Sequence, residues 1–123
     1  MSLNDLMSDF VARVNNASMV DNTEVIVLKN NLILNVCKKL VTLGFFTGFE
    51  ELEREVKVSL NSKRLGRLVR ISKPGQRIYV TSEKMPKVMG GRGFNILTTS
   101  SGILTHVESK SKKVGGELLF QIT

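Results

Sequence analysis

Two alternating hydrophobic periods predict an α+β protein of two small lobes. An N-terminal helix-strand-helix lobe is completed by an antiparallel sheet, and a mostly β lobe follows. Three observations carry the prediction. Apolar residues recur every three or four positions in the first 43 residues and every second position after Phe45, Pro74-Gly75 interrupts the pattern, and basic residues crowd the second half. The expected division is 1–72 and 73–123.

Leu3, Leu6, Met7, Phe10, Val11 and Val14 fall on one helical face. Asp5 and Asp9 stand early, where the helix dipole favours acids, so a helix is expected over about 3–17. Thr23 to Leu28 is rich in β-branched residues, follows Asp21-Asn22, and predicts a short strand. Asn30 or Asn31 can cap the next helix. Its apolar face is Leu32, Ile33, Val36, Cys37, Leu40 and Val41, and Gly44 ends it.

Phe45 to Phe49 reads as a strand, and Val56, Val58 and Leu60 alternate with Lys57 and Ser59. Leu65 to Ile71 is expected to pair with that second strand across the polar turn Asn61-Ser62-Lys63-Arg64. Proline has no amide hydrogen, so Pro74-Gly75 is assigned to a turn and the linker is placed there.

In the second lobe the pattern predicts a short strand Arg77 to Val80, a helical turn Ser82 to Val88 interrupted by Pro86, and a glycine turn Gly90-Gly91-Arg92-Gly93. A strand Phe94 to Thr98 then runs through Thr99-Ser100-Ser101-Gly102 into Ile103 to Thr105. Val107 to Lys113 has few apolar positions, which predicts a short exposed helix ended by Gly115-Gly116. Leu118, Leu119, Phe120 and Ile122 form a closing strand.

The chain has 123 residues, 41% of them apolar, with 18 Lys or Arg against 11 Asp or Glu, a formal charge of +7. That length excludes a large multidomain enzyme, and the composition is neither that of a disordered tail nor that of a membrane protein. The charge is unevenly placed. Residues 1–53 hold four basic and seven acidic residues, a net of −3, and the remaining seventy hold fourteen basic and four acidic, a net of +10. Such asymmetry is the footprint of a polyanion partner, because neutralising phosphates releases counterions. Six Phe, one Tyr and no Trp argue against a stacking platform for single strands.

The single cysteine, Cys37, cannot form an internal disulfide or a multi-cysteine zinc site, and its apolar helical position predicts a core residue. The first ten residues carry Asp5 and Asp9 and no Lys or Arg, so no targeting segment and no secretion are expected. No apolar run approaches the roughly 18 residues a bilayer needs, so no membrane partner is expected.

Few residues suggest catalysis. His106 would need an orienting carboxylate and a nucleophile, and no spacing supplies them. Glu50, Glu51, Glu53 and Glu55 fall on or beside an exposed strand as solvated acids. Gly90-Gly91-Arg92-Gly93 lacks the Lys-Ser/Thr ending and long following helix of a phosphate loop, and reads as a tight turn. No metal, cofactor or small-molecule substrate is expected. The stronger constellation is Thr98-Thr99-Ser100-Ser101-Gly102 followed by Gly115-Gly116-Glu117. Hydroxyls and glycines permit close approach and hydrogen bonds to phosphates, ribose 2′-hydroxyls and base edges, which suits RNA better than DNA.

At these residues the chain resembles the bacterial-type small-subunit ribosomal protein eight family. Ser72-Lys73-Pro74-Gly75-Gln76-Arg77-Ile78-Tyr79 is similar to its Ser-basic-Pro-Gly-x-Arg-x-Tyr segment, and Met85-Pro86-Lys87-Val88 to its Leu-Pro-Lys-Val. Thr98 to Thr105 is similar to Ser-Thr-Ser-x-Gly-x-x-Thr, and Gly115-Gly116-Glu117-Leu118 to Gly-Gly-Glu-apolar. Upstream, Asp5 to Asp9 and Arg13 to Ala17 resemble Asp-Pro-Ile-Ala-Asp and Arg-Ile-Arg-Asn-Ala. The departures from the pattern include Thr98 for a Ser, Asn15 for an Arg, His106 for an Asp and Ser109 for an Ala.

The resemblance implies a non-enzymatic constituent of the small ribosomal subunit, located in the ribosome of a bacterium or an organelle. It implies binding to a helical junction in the central domain of small-subunit ribosomal RNA and support of that domain's assembly beside other small-subunit proteins. The RNA contact it implies is Thr98, Thr99, Ser100, Ser101, Gly102, Gly116 and Glu117, with Arg77 and Tyr79 nearby and a lesser contact from Lys29 in the first lobe. The alternatives are a repressor that binds a messenger RNA mimic of that site and a nucleotide-binding enzyme acting through Gly90 to Gly93.

Overall fold

The computed structural model describes residues 3–73, 75–86 and 93–123, with side chains from residue 6 onward. The expectations for Pro74, for Lys87 and Val88, and for Gly90 to Arg92 lie outside these residues. The chain divides into two compact units, Met1–Arg67 and Leu68–Thr123.

The first unit runs α1 (Leu3–Met19), β1 (Glu24–Leu28), α2 (Asn31–Leu43), β2 (Phe46–Glu51) and β3 (Glu55–Leu60). The strands form an antiparallel sheet in the order β1-β3-β2. Alternation works as expected on β3, where Val56, Val58 and Leu60 are buried and Lys57 is exposed. Met7, Phe10 and Val14 of α1 and Ile33, Val36, Cys37 and Leu40 of α2 complete the core with Val27 and Phe46. The Phe10 and Phe46 rings meet edge-on at 6.3 Å. Burial pushes the Cys37 thiol up to about 12, so it stays an uncharged core residue.

The caps of α2 follow from its sequence. The Asn30 side chain accepts the Ile33 amide at 2.7 Å, and Gly44 closes the helix in the left-handed conformation at φ 90°. The segment after β3 then turns back toward that helix end: the Asn61 amide donates to the Gly44 carbonyl at 3.0 Å, Arg64 Nε donates to the Leu43 carbonyl at 3.0 Å, and the Arg64 guanidinium lies 4.8 Å from the Phe45 ring centre.

These bonds explain a correction. Leu65 to Ile71 does not pair with β3, whose two edges are taken by β1 and β2. Within this stretch Leu65 is buried in the first unit, and β4 (Leu68–Arg70) pairs with the last strand of the second. A polar four-residue turn looks like a hairpin in sequence, but here it serves to cap a helix.

The second unit continues with β5 (Tyr79–Val80), β6 (Phe94–Thr99), β7 (Gly102–Thr105), α3 (His106–Lys112) and β8 (Gly116–Ile122). All pairings are antiparallel in the order β4-β8-β6-β7, and β5 joins β8 beyond β4. Central β8 carries five consecutive buried residues, Leu118 to Ile122, as a strand covered on both faces should.

Two further expectations are corrected. The described part of the helical turn at Ser82 is a bend: the Thr81 hydroxyl accepts the Lys84 amide at 3.1 Å as a helix cap would, but Pro86 disfavours the helical conformation at Met85. The helix α3 is closed by Lys113 at φ 57°, not by the glycine pair. Its start is a capping box: Thr105 accepts the Glu108 amide and Glu108 accepts the Thr105 amide, each at 3.2 Å.

Candidate nucleic-acid interface

Strand register builds the site. Ile103 of β7 faces Thr98 of β6, Thr98 faces Glu117 of β8, and Glu117 faces Tyr79 of β5. Partners in register project to one side of a sheet, so these four side chains form a row across four strands. The next row holds Gly102 against Thr99, and Gly116 against Val80.

The turn at the end of the β6-β7 hairpin is organised by one hydroxyl. Thr99 Oγ1 donates to the Gly102 carbonyl at 2.8 Å and accepts the Ser101 amide at 3.1 Å. Gly102 takes φ 101°, a left-handed value that a side chain resists. Ser100 and Ser101 are thereby held outward at the tip, both exposed.

Gly116 is required for a different reason. A Cβ on it would lie 2.2 Å from the Thr98 carbonyl oxygen, so only glycine lets β8 approach β6 here. That approach sets Glu117 between Thr98 and Tyr79. Glu117 is half-buried, and its Oε2 is shielded from solvent with no hydrogen-bond partner among the described residues. Tyr79 is 66% exposed beside it.

A buried residue that the site reading omitted fixes this edge. Ser72 has no solvent exposure; its hydroxyl donates to the Leu118 carbonyl at 2.7 Å and accepts the Ile78 amide at 2.9 Å. It holds the run Arg77-Ile78-Tyr79 to β8, with the backbone of Ile78 accepting the Leu118 amide at 2.9 Å. The signal for it was present, since Ser72 stands in alternation with buried Leu68.

The structure thus brings together Thr98, Thr99, Ser100, Ser101, Gly102, Gly116, Glu117 and Tyr79, and leaves Arg77 exposed two residues from Tyr79. Lys29 lies in the first unit, where its ammonium donates to Glu51 at 3.1 Å and to the Leu52 carbonyl at 2.8 Å. The first unit nets +1 and the second +6, counting nine basic and eight acidic residues in one and nine and three in the other. In the second, Lys73, Arg77, Lys84, Lys110, Lys112 and Lys113 are exposed.

His106 is a structural group. Its Nδ1 accepts the Asn95 amide at 3.1 Å, and its ring lies 5.8 Å from that of Phe94. Burial and then nearby Lys110 hold its pKa below the ordinary 6.5, which keeps the accepting nitrogen unprotonated. Among the described residues no cluster of His, Cys, Asp and Glu is placed to share a metal ion, and no helix is long and apolar enough to cross a membrane.

A small two-unit α+β chain with a hydroxyl-tipped sheet end in a basic second unit has the makings of a ribonucleoprotein component. Comparison with known proteins gives its family. Residues 5–123 match the family described as ribosomal protein S8. The chain is 38% identical to small ribosomal subunit protein uS8 of Crocosphaera subtropica, over 97% of both chains. It is 37% identical to uS8 of Pediococcus pentosaceus, over 99% of both. It is 35% identical to uS8c of Pleurastrum terricola, over 98% of this chain and 99% of that one. The chain belongs to the ribosomal protein S8 family, whose members are structural components of the ribosome and not enzymes.

Proposed function

We propose that this chain is a structural protein of the small ribosomal subunit that binds a helical junction in the central domain of the subunit's RNA and supports its assembly. The proposed contact is the end of the second sheet: the Thr98 to Gly102 turn, Gly116, Glu117 and Tyr79, with Arg77 beside them and Lys29 as a lesser contact. The observation that carries the reading is the row Thr98, Glu117 and Tyr79, in which a shielded carboxylate oxygen without a donor among the described residues lies next to an exposed hydroxyl turn. A carboxylate repels phosphate and accepts hydrogen bonds, so it fits a base amino group or a ribose 2′-hydroxyl. Surrounding lysines and arginines supply the phosphate contacts, which position the RNA without reading it.

Titrating the purified chain against a central-domain junction and a scrambled duplex of equal length tests this. A junction preference of about a thousandfold that persists from roughly 50 to 300 mM salt is expected. Equal, salt-labile binding to both RNAs would leave a basic protein without a specific site.

A further inference from the structure

The first unit has two sheet edges that differ in their protection. On β2 the register shifts between Phe46 and Gly48, and exposed Glu50 and Glu51 end the strand, both features that discourage further pairing. Strand β1 has no such shift, and its one charged residue, exposed Glu24, is paired with Lys57 of β3. It pairs with β3 in unbroken register over five residues and contains no lysine or proline.

Its hydrogen-bonding pattern shows which backbone groups are open. The Thr23 carbonyl accepts the Leu60 amide at 2.7 Å, and the Lys29 amide donates to the Arg54 carbonyl at 3.1 Å, at the two ends of the ladder. Bonding residues alternate in an antiparallel ladder, so Val25 and Val27 also face β3 while Glu24, Ile26 and Leu28 turn their N–H and C=O groups outward. The Ile26 carbonyl accordingly accepts Arg13 Nη1 at 3.0 Å. Among the described residues no strand pairs with this side of β1.

Beside the edge runs a groove of about 510 Å³ between α1 and β1, lined by Arg13, Asn16, Ala17 and Val20 from the helix side and Val25 and Ile26 from the strand. Its rim gathers exposed apolar residues: Met19 is 81% exposed, Val20 66% and Ile26 43%. The charges there are already paired, Arg13 with Asp9 and Glu24 with Lys57, each at 2.9 Å. Nothing in the groove attracts a polyanion.

We propose that this groove docks an extended segment of another small-subunit protein, which adds to the sheet as a fourth strand along β1. The outward groups of Glu24 and Leu28 and the Ile26 amide match an extended backbone, the Ile26 carbonyl being held by Arg13, which an added strand must displace, and the apolar rim selects apolar side chains at alternate positions of that segment. The proposal rests on the chain's proposed place in the small subunit, and its test separates the two.

The chain carrying the photo-cross-linker p-benzoylphenylalanine in place of Val20 is assembled into small subunits and irradiated. The expected product is a cross-link to an extended segment of a different protein. Ile26→Pro removes an outward amide without breaking a β1-β3 bond, so the doubly substituted chain still assembles but yields about tenfold less cross-link, the effect of one lost main-chain hydrogen bond. A cross-link to RNA or to a second copy of this chain, no cross-link from assembled subunits, or a yield unchanged by Ile26→Pro overturns the proposal. Failure of the Val20-substituted chain to enter subunits, while its circular dichroism stays native, instead overturns the proposed function and this proposal with it.

Discussion

The Ser72 hydroxyl serves two backbone groups, the Leu118 carbonyl and the Ile78 amide, in a place without solvent access. Ser72→Ala leaves the Ile78 amide stranded, which costs about 1–3 kcal/mol. A urea titration should show a lower midpoint with an unchanged slope, and amide exchange at Ile78 and Tyr79 should quicken before the rest of the sheet opens. His106 acts on stability through pH. Its folded pKa lies below 6.5, so the unfolded chain takes up a proton first as pH falls through 6.5. Stability is therefore fully present above that value and is lost as pH drops toward the folded pKa. It is the chain's one histidine, so the part of the decline that sets in as pH falls through 6.5 should flatten in His106→Gln when denaturation midpoints are compared.

At the scale of elements, the approach of β8 to β6 depends on the missing side chain of Gly116. A Cβ 2.2 Å from the Thr98 carbonyl must push the strands apart, so Gly116→Ala should cost about 1–3 kcal/mol and displace Glu117 from Thr98. Chemical shifts of Thr98 and Glu117 should move while those of Met7 and Cys37 in the first unit stay fixed. The helices and strands themselves were readable from sequence wherever a period ran its length, as in α1, in β3 with Val56, Val58 and Leu60, and in apolar β8. What failed was local chemistry with two uses. The Asn61 to Arg64 turn caps α2 where a hairpin was expected, and Lys113 accepts the left-handed conformation expected of a glycine. The candidate interface residues were recognisable as a hydroxyl turn and a glycine pair, whereas Tyr79 was placed near them only by the family resemblance and not by any pattern in the residues. Its position depends on β5 pairing with β8 across 38 residues of chain, from Tyr79 to Glu117, which no local pattern encodes.

On the scale of the whole molecule, charge and site are separable contributions to the proposed RNA binding. The second unit's net charge of +6 acts on any phosphate backbone, and counterion release makes that part fall with salt. Hydroxyls and a carboxylate release no counterions, so their contribution persists at high salt. Lys112, exposed near the end of α3, belongs to the first kind; Ser100 and Glu117 belong to the second. Lys112→Ala should weaken binding to junction and scrambled duplex alike and flatten the slope of log affinity against log salt by about one or less. Ser100→Ala and Glu117→Ala should keep the slope and lose affinity for the junction by about tenfold each, with little change on the duplex. Because the carboxylate itself repels phosphate, Glu117→Ala should leave duplex binding equal or slightly tighter, a sign opposite to that of Lys112→Ala, and filter binding across the salt series reads both signs in one experiment.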